Sequence, residues 1–257
     1  MSEADRQLPS SVEIFEATPI HDQEPDRESH RTRIADTLAM IPHGHRSLLE
    51  VGCGPGYLLH RAPLARTFGT DLSRRSVRRL RRPGAVASVL ALPFASKSVD
   101  VVLCAETLEH LTALERPRAA RELARVARHH VVVSVPYRER LLESSARCPR
   151  CRRVFHLHGH RDSLDEADLR GLFPTARRLV FDYSWPVRPY NRALLRLRTG
   201  TFGLWKHTAY TVCPHCGNQE FPNDQTRPLY RVFSGLNQVL NPRRSAFNWL
   251  LLRAELE

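Results

Sequence analysis

Residues 47–62, SLLEVGCGPGYLLHRA, place three glycines within five positions directly behind a short apolar run. Glycine lets a backbone adopt angles closed to other residues and come close to a bound group. A run of this kind is a buried strand that ends in a tight, ligand-facing turn, and it constrains what the rest of the chain can form. Gly52, Gly54 and Gly56 follow a G-x-G-x-G spacing, not the G-x-G-x-x-G of dinucleotide sites, and Glu50 stands just ahead of them. An acid there repels a pyrophosphate and suits a cationic ligand. Asp71, at the end of the next apolar run, is placed to accept hydrogen bonds from ribose hydroxyls.

The segments around the turn alternate. Apolar spacing predicts a helix over 29–41, stopped by Pro42 and Gly44, and strands at 46–51, 66–72, 86–90, 99–105 and 129–136. A helix is expected after the glycine turn, another at 73–82 capped by Ser73, and a third at 116–128 with Ala120, Leu123, Val126 and Ala127 on one side. Later come a helix at 163–173 and strands at 176–185 and 245–256. The rhythm implies an α/β chain with a doubly wound parallel sheet, whose ligand sits beyond the carboxyl ends of the strands.

Two excursions interrupt that rhythm, and each carries a C-x-x-C pair: Cys148 with Cys151, and Cys213 with Cys216. Two such pairs complete a tetrahedral zinc site, and four thiolates leave no open position for catalysis. The reading is one structural zinc that clamps both excursions into a lobe and shapes an acceptor pocket. His156, His158, His160 and His215 are reserve ligands, and Cys53 and Cys104 are packing residues. The expected divisions are a flexible tail over 1–28, a core over 29–140, a first zinc knuckle over 141–162, a core helix and sixth strand over 163–185, a second knuckle and lid over 186–244, and a last strand over 245–257.

Charge adds less. The formal net charge is +12, yet only two of the 39 basic residues, Lys97 and Lys206, are lysines. Such a bias fits a solvated arginine-rich face as well as a polyanion surface, so a nucleic-acid partner is possible without being favoured. No apolar stretch reaches the roughly 20 residues of a membrane span, and the acidic, proline-bearing start lacks the pattern of a secretory signal. A cytoplasmic protein is expected.

The ordered series LLEVGCGPG (48–56), GTDLS (69–73), ALPF (91–94) and VDVVLCAETLEHL (99–111), followed by ERPRAARELARVARHHVVVSVP, resembles the class I S-adenosylmethionine-dependent methyltransferases. The resemblance spans residues 30 to about 137. It implies a Rossmann-like seven-stranded sheet, here with an inserted zinc-ribbon-like lobe, and S-adenosylmethionine as cofactor. By resemblance, Gly52, Cys53 and Gly54 line the methionine portion with Glu50 near its amino group, and Gly56 completes the turn. Asp71 holds the ribose and Leu72 packs on adenine. Ser88 stands where the family often has an aspartate for the adenine amino group, with Val89 beside it. Glu106 lies where the chain passes the sulfonium. Methyl transfer requires an acceptor held in line with the methyl, and a histidine can take its proton; His110 and His160 are the candidates, with Glu106 also placed among the catalytic residues. The acceptor is expected to be a small molecule or a glycan-linked one. An RNA acceptor and a non-catalytic zinc-ribbon module are the alternatives.

Overall fold

The computed structural model describes residues 27–208, 211–241 and 246–256. The expected tail over 1–28 lies outside them except for its last two residues. The chain divides into two compact units. One, from His21–Glu139, Arg161–Val187 and Phe247–Glu257, holds a seven-stranded sheet. Its elements are α1 (Glu28–Ala39), β1 (Ser47–Val51), β2 (Arg66–Asp71), α2 (Arg74–Val77), β3 (Gly84–Val86), β4 (Val99–Ala105), α3 (Arg116–Val126) and β5 (Ala127–Pro136). After the first excursion it resumes with the helix Glu166–Leu172 and the strands Arg178–Val187 and Ala246–Glu255. Numbered in chain order these are α4, β8 and β9. The excursions, Arg140–His160 and Arg188–Ala246, supply β6 (Ser145–Arg147), β7 (Val154–His156), α5 (Arg192–Arg196) and α6 (Pro228–Leu240) to the other unit.

The sheet runs β3-β2-β1-β4-β5-β9-β8. Strands β1 to β5 pair in parallel, and β9 runs antiparallel to β5. All seven residues of β4 are buried, as expected of a parallel strand covered on both faces. Alternate side chains go to opposite layers. Leu49, Val51, Val102, Val131 and Val133 pack with Ala119, Ala120 and Leu123 of α3, whereas Leu48, Val101, Leu103 and Val132 pack with Ile34 of α1 and Leu58 and Leu59. Order reverses at β1, between β2 and β4, which opens the switch-point crevice at their carboxyl ends.

Three expectations are corrected. No regular helix follows the glycine turn: residues 54–58 are turns and Leu59–Arg61 is one 3-10 turn. Pro63, with no N–H and a fixed φ, blocks its extension. The helix expected at 73–82 is only the four-residue α2, although Ser73 caps it through its hydroxyl, which accepts from Ser76 N–H at 3.0 Å. Arginines at 74, 75, 78, 79, 81 and 82 repel one another at helical spacings, and Pro83 follows. The third strand is β3 at Gly84–Val86, not 86–90; Ser88 Oγ accepts Leu90 N–H at 3.2 Å and turns the chain ahead of Pro93.

Asp100 fastens the opposite end of the sheet. Its Oδ2 accepts the N–H groups of Arg46 and Ser47 at 2.9 and 3.1 Å, and its Oδ1 meets Arg128 Nη1 at 2.7 Å. Burial by itself raises a carboxyl pKa, but these donors outweigh it and hold Asp100 down at about 2. Its stabilising contribution is present above the ordinary carboxylate range and is lost as pH falls from about 4 toward 2. Asp100→Asn should lower stability at pH 7 by about 1–3 kcal/mol. Urea midpoints of variant and wild type should converge toward pH 2.

Candidate functional site

The carboxyl end of β1 turns through three left-handed glycines, with φ of +71° at Gly52, +51° at Gly54 and +86° at Gly56. At Gly52 a side chain is excluded, because its Cβ would lie 2.1 Å from Thr107 Oγ1. At Gly54 the position of a Cβ meets nothing within 4 Å, so the backbone faces open space. The turn is tied to β2: Gly52 and Cys53 N–H both donate to Thr70 O, at 2.7 and 2.9 Å, and Gly54 N–H donates to Asp71 Oδ2 at 2.7 Å. Asp71 Oδ1 accepts Ser73 N–H at 2.8 Å. Asp71 is therefore a brace for the turn as well as a candidate for ribose hydroxyls, which its further lone pairs can accept. Leu72 is a half-buried bend residue just beyond it, Ser88 lies just past β3, and Val89 is buried.

Acids line the neighbourhood. Glu50 is 2% exposed, and its Oε2 has no hydrogen-bond partner. Burial pushes its pKa up to about 8; Leu59 N–H and the Arg33 charge oppose that rise, and Asp71 adds to it. Glu106 opens the segment after β4 with a strained φ of +52°. Both of its oxygens are engaged: Ser134 Oγ donates to Oε1 at 3.2 Å, and Trp249 Nε1 donates to Oε2 at 2.9 Å. Arg33 Nη1 lies 3.9 Å from Oε1, and its guanidinium sits 5.5 Å over the Trp249 ring. Two residues escaped the sequence reading. Arg33 is buried in α1, and Glu109, inside LEHL, is 1% exposed with neither oxygen partnered. Burial and then the Glu106 charge raise the Glu109 pKa well above its ordinary value, with Arg33 opposing. No sequence signal marks Arg33, whereas an acid inside a motif was there to be read. Three carboxyls around one arginine favour a ligand that carries positive charge. Burial raises the thiols of Cys53 and Cys104, so both are neutral packing groups.

His110 ends a 3-10 turn at Leu108–His110 in the sheet unit. His160 belongs to the other unit, where its N–H donates to His156 Nδ1 at 3.1 Å and the two rings stack at 4.4 Å.

That other unit gathers the four cysteines. Their sulfurs all lie within 4.8 Å of one another, with Cys148–Cys216 and Cys151–Cys213 both at 3.6 Å. A zinc tetrahedron with bonds of about 2.3 Å has edges of about 3.8 Å, whereas a disulfide is about 2.05 Å. The two knuckles also share one hydrogen-bond pattern. Arg152 N–H donates to Cys148 O and Gly217 N–H to Cys213 O, both at 2.9 Å. Cys148 N–H donates to Arg153 O and Cys213 N–H to Asn218 O, at 2.9 and 2.8 Å. Arg152 and Gly217, four residues past the first cysteine of each pair, are both left-handed, at φ +61° and +69°. The donor set and its spacing fit a zinc ion held by four thiolates, and Phe155 and Phe221 pack with the cysteines.

A family profile described as a methyltransferase domain matches residues 49–135, the stretch from β1 to β5. Residues 49–135 carry a methyltransferase domain, and the sheet unit has the fold of S-adenosylmethionine-dependent methyltransferases. Among solved structures, this methyltransferase is similar to a chain of the complex between the Haloferax volcanii Trm112 methyltransferase activator and a methyltransferase, with a TM-score of 0.55, 19% identity, and 89% of this chain and 90% of that one covered. It is similar to a SAM-dependent methyltransferase of Archaeoglobus fulgidus, with a TM-score of 0.52, 14% identity and coverage of 88% and 94%. The same holds for one from Thermotoga maritima, with a TM-score of 0.53, 14% identity and coverage of 89% and 92%. No curated protein sequence matches it. Among the described residues, no helix is long and apolar enough to cross a membrane.

Glu50 yields a signed prediction. Native Glu50 keeps its proton up to about pH 8, while in the unfolded chain it ionises near 4.5. Native stability therefore falls as pH rises from about 4.5 to about 8, and Glu50→Gln should remove that fall. Calorimetry of cofactor binding at pH 7 in two buffers of different ionisation enthalpy should register proton release, lost in the variant. For the cysteine cluster, elemental analysis should find one zinc per chain, and replacing Cys148 and Cys213 together by serine should release it and melt the lobe while S-adenosylhomocysteine still binds.

Proposed function

We propose that this methyltransferase moves the methyl group of S-adenosylmethionine to a small-molecule or glycan-linked acceptor by in-line displacement. The cofactor supplies an activated methyl beside a sulfur cation, and the chain supplies its binding, its orientation and a proton acceptor. In this reading Gly52, Cys53, Gly54 and Gly56 cradle the methionine portion. Glu50 faces its amino group, and Asp71 and Leu72 hold the ribose and adenine. Ser88 and Val89 edge the adenine, and Glu106 stays at the sulfonium side, fixed by Ser134 and Trp249. When bound, the cofactor would supply its methyl to an acceptor heteroatom held in line with it, and His110, with His160 as the second candidate, would take the proton the acceptor gives up. The zinc, closed in by four cysteines, does no chemistry; the lobe is assigned to acceptor selection because Arg140–His160 follows in the chain directly on β5.

One observation carries the cofactor reading. An open backbone position at Gly54 is braced by Asp71, next to a buried Glu50 whose Oε2 lacks a partner. An RNA acceptor is the second reading. It draws on the exposed arginines at 74, 75, 78, 79, 81 and 82 and on the likeness to a methyltransferase found with the Trm112 activator.

Titration calorimetry with S-adenosylmethionine tests the first reading, and an absence of binding at millimolar cofactor would overturn it. Gly54→Arg should weaken binding at least about 100-fold, by filling the open position and straining a left-handed residue, while zinc content stays unchanged. His110→Ala should lower turnover more than cofactor affinity. Release of S-adenosylhomocysteine against metabolite extracts identifies the acceptor. Tight tRNA binding that weakens steeply with salt would move the assignment to RNA.

A further inference from the structure

Arg198 is 1% exposed, the most deeply buried charged side chain of the excursion unit among the described residues. It sits in a π-helical turn, Leu197–Thr201, in which Phe202 N–H reaches back five residues to Leu197 O at 3.2 Å. Such turns are rare and concentrate at functional sites. The guanidinium lies between two aromatic faces, 4.9 Å from the Tyr190 ring and 4.7 Å from the Tyr230 ring. Its Nη1 donates to Tyr230 Oη at 3.1 Å. Nε and Nη2, which form one edge of the guanidinium fork, have no hydrogen-bond partner at normal length, and the Tyr190 hydroxyl, in a residue only 7% exposed, lies within the electrostatic and hydrogen-bonding reach of Arg198.

Arginine keeps its charge at any pH a protein meets, so this group cannot escape burial by losing a proton. A buried charge needs a counter-charge. Within the unit, Glu143 acts through space on both tyrosines and Asp224 on Tyr230, yet no carboxylate among the described residues lies within ion-pair distance of Arg198. Asp224 is committed elsewhere: its Oδ2 accepts Trp205 N–H at 3.1 Å and its Oδ1 pairs with Arg227 Nε at 3.2 Å. The unpartnered edge of the fork matches two oxygens of one planar or tetrahedral oxyanion. The flanking rings hold the guanidinium plane in place by cation–π contact.

We propose that Arg198, held between Tyr190 and Tyr230, is the receptor of an oxyanion-binding site in the excursion unit, taking a carboxylate or phosphate group through Nε and Nη2. The site stands apart from the methyl-transfer reading and survives its failure.

The test is calorimetry on the full chain with inorganic phosphate and, separately, acetate, at ionic strength held constant with chloride. The wild type should bind one equivalent saturably. Binding of phosphate alone assigns a phosphate ligand, and binding of both assigns the carboxylate as sufficient. Arg198→Lys, which keeps the charge without the fork, should weaken binding about tenfold or more, and Arg198→Met should abolish that one equivalent while weak binding to surface arginines persists. Because a buried charge replaced by an apolar side chain of similar volume is often neutral or stabilising, Arg198→Met should melt no lower than wild type in anion-free buffer. Tyr230→Phe, which removes one hydroxyl only, should retain binding and serves if the methionine variant does not fold. Failure of the wild type to bind either anion saturably would overturn the proposal, as would equal binding by Arg198→Met or Arg198→Lys.

Discussion

Strand β1 is paired on both edges and covered on both faces, and the glycine turn at its carboxyl end follows from that confinement. With β2 on one side and β4 on the other, the chain leaving Val51 cannot continue within the sheet without losing its pairing. Nor can it fold onto either face, because Leu48 and Leu49 already fill both layers. It must turn at once, close to Thr107, which is why Gly52 has no room for a side chain. The same confinement buries Glu50, the strand's penultimate residue. A buried acid beside an open turn is thus a product of the sheet order.

Charge in this protein is arranged against its own average. The chain carries a formal net charge of +12, but around the carboxyl ends of β1 and β4 stand the buried Glu50 and Glu109 and the half-buried Glu106, with the buried Arg33 beside them. Interactions between exposed charges are screened within about 8–10 Å at physiological salt, so the surface arginines have little say at this site. The local acids favour a cationic ligand there, and the overall charge bears on encounter with large anionic partners.

Much of this was legible in the sequence, for a physical reason. Buried parallel strands read as apolar runs, and the residues that cap them, Gly52–Gly56 and Asp71, are dictated by local geometry, so β1, β2, β4 and β5 could be placed from the chain alone. The cysteine pairs were legible because a C-x-x-C turn is set by four or five consecutive residues, and both copies show the same left-handed residue and the same two hydrogen bonds. Helix extents were not legible. The helix after the glycine turn is reduced to one 3-10 turn ahead of Pro63, and α2 stops after one turn under the repulsion of its arginines. Arg33 and Arg198 were also invisible, since on a helix or in a turn a charged residue looks solvated until its neighbours in space are known, whereas Glu109 sat inside a legible motif and only its burial was hidden.

Glu50 and Arg198 show two ways to bury an ionisable group. A carboxyl can lower the cost by keeping its proton, and the rise of Glu50 to about 8 expresses that route; a cationic ligand then restores the charge by displacing the proton. A guanidinium has no such route. Its positive charge must be met in place, by the faces of aromatic rings, which supply part of the compensation, and by an anion along its free edge. An unpartnered carboxyl oxygen is therefore compatible with a site awaiting a cation, whereas an unpartnered arginine edge at 1% exposure implies a negative partner whenever the surrounding core is intact.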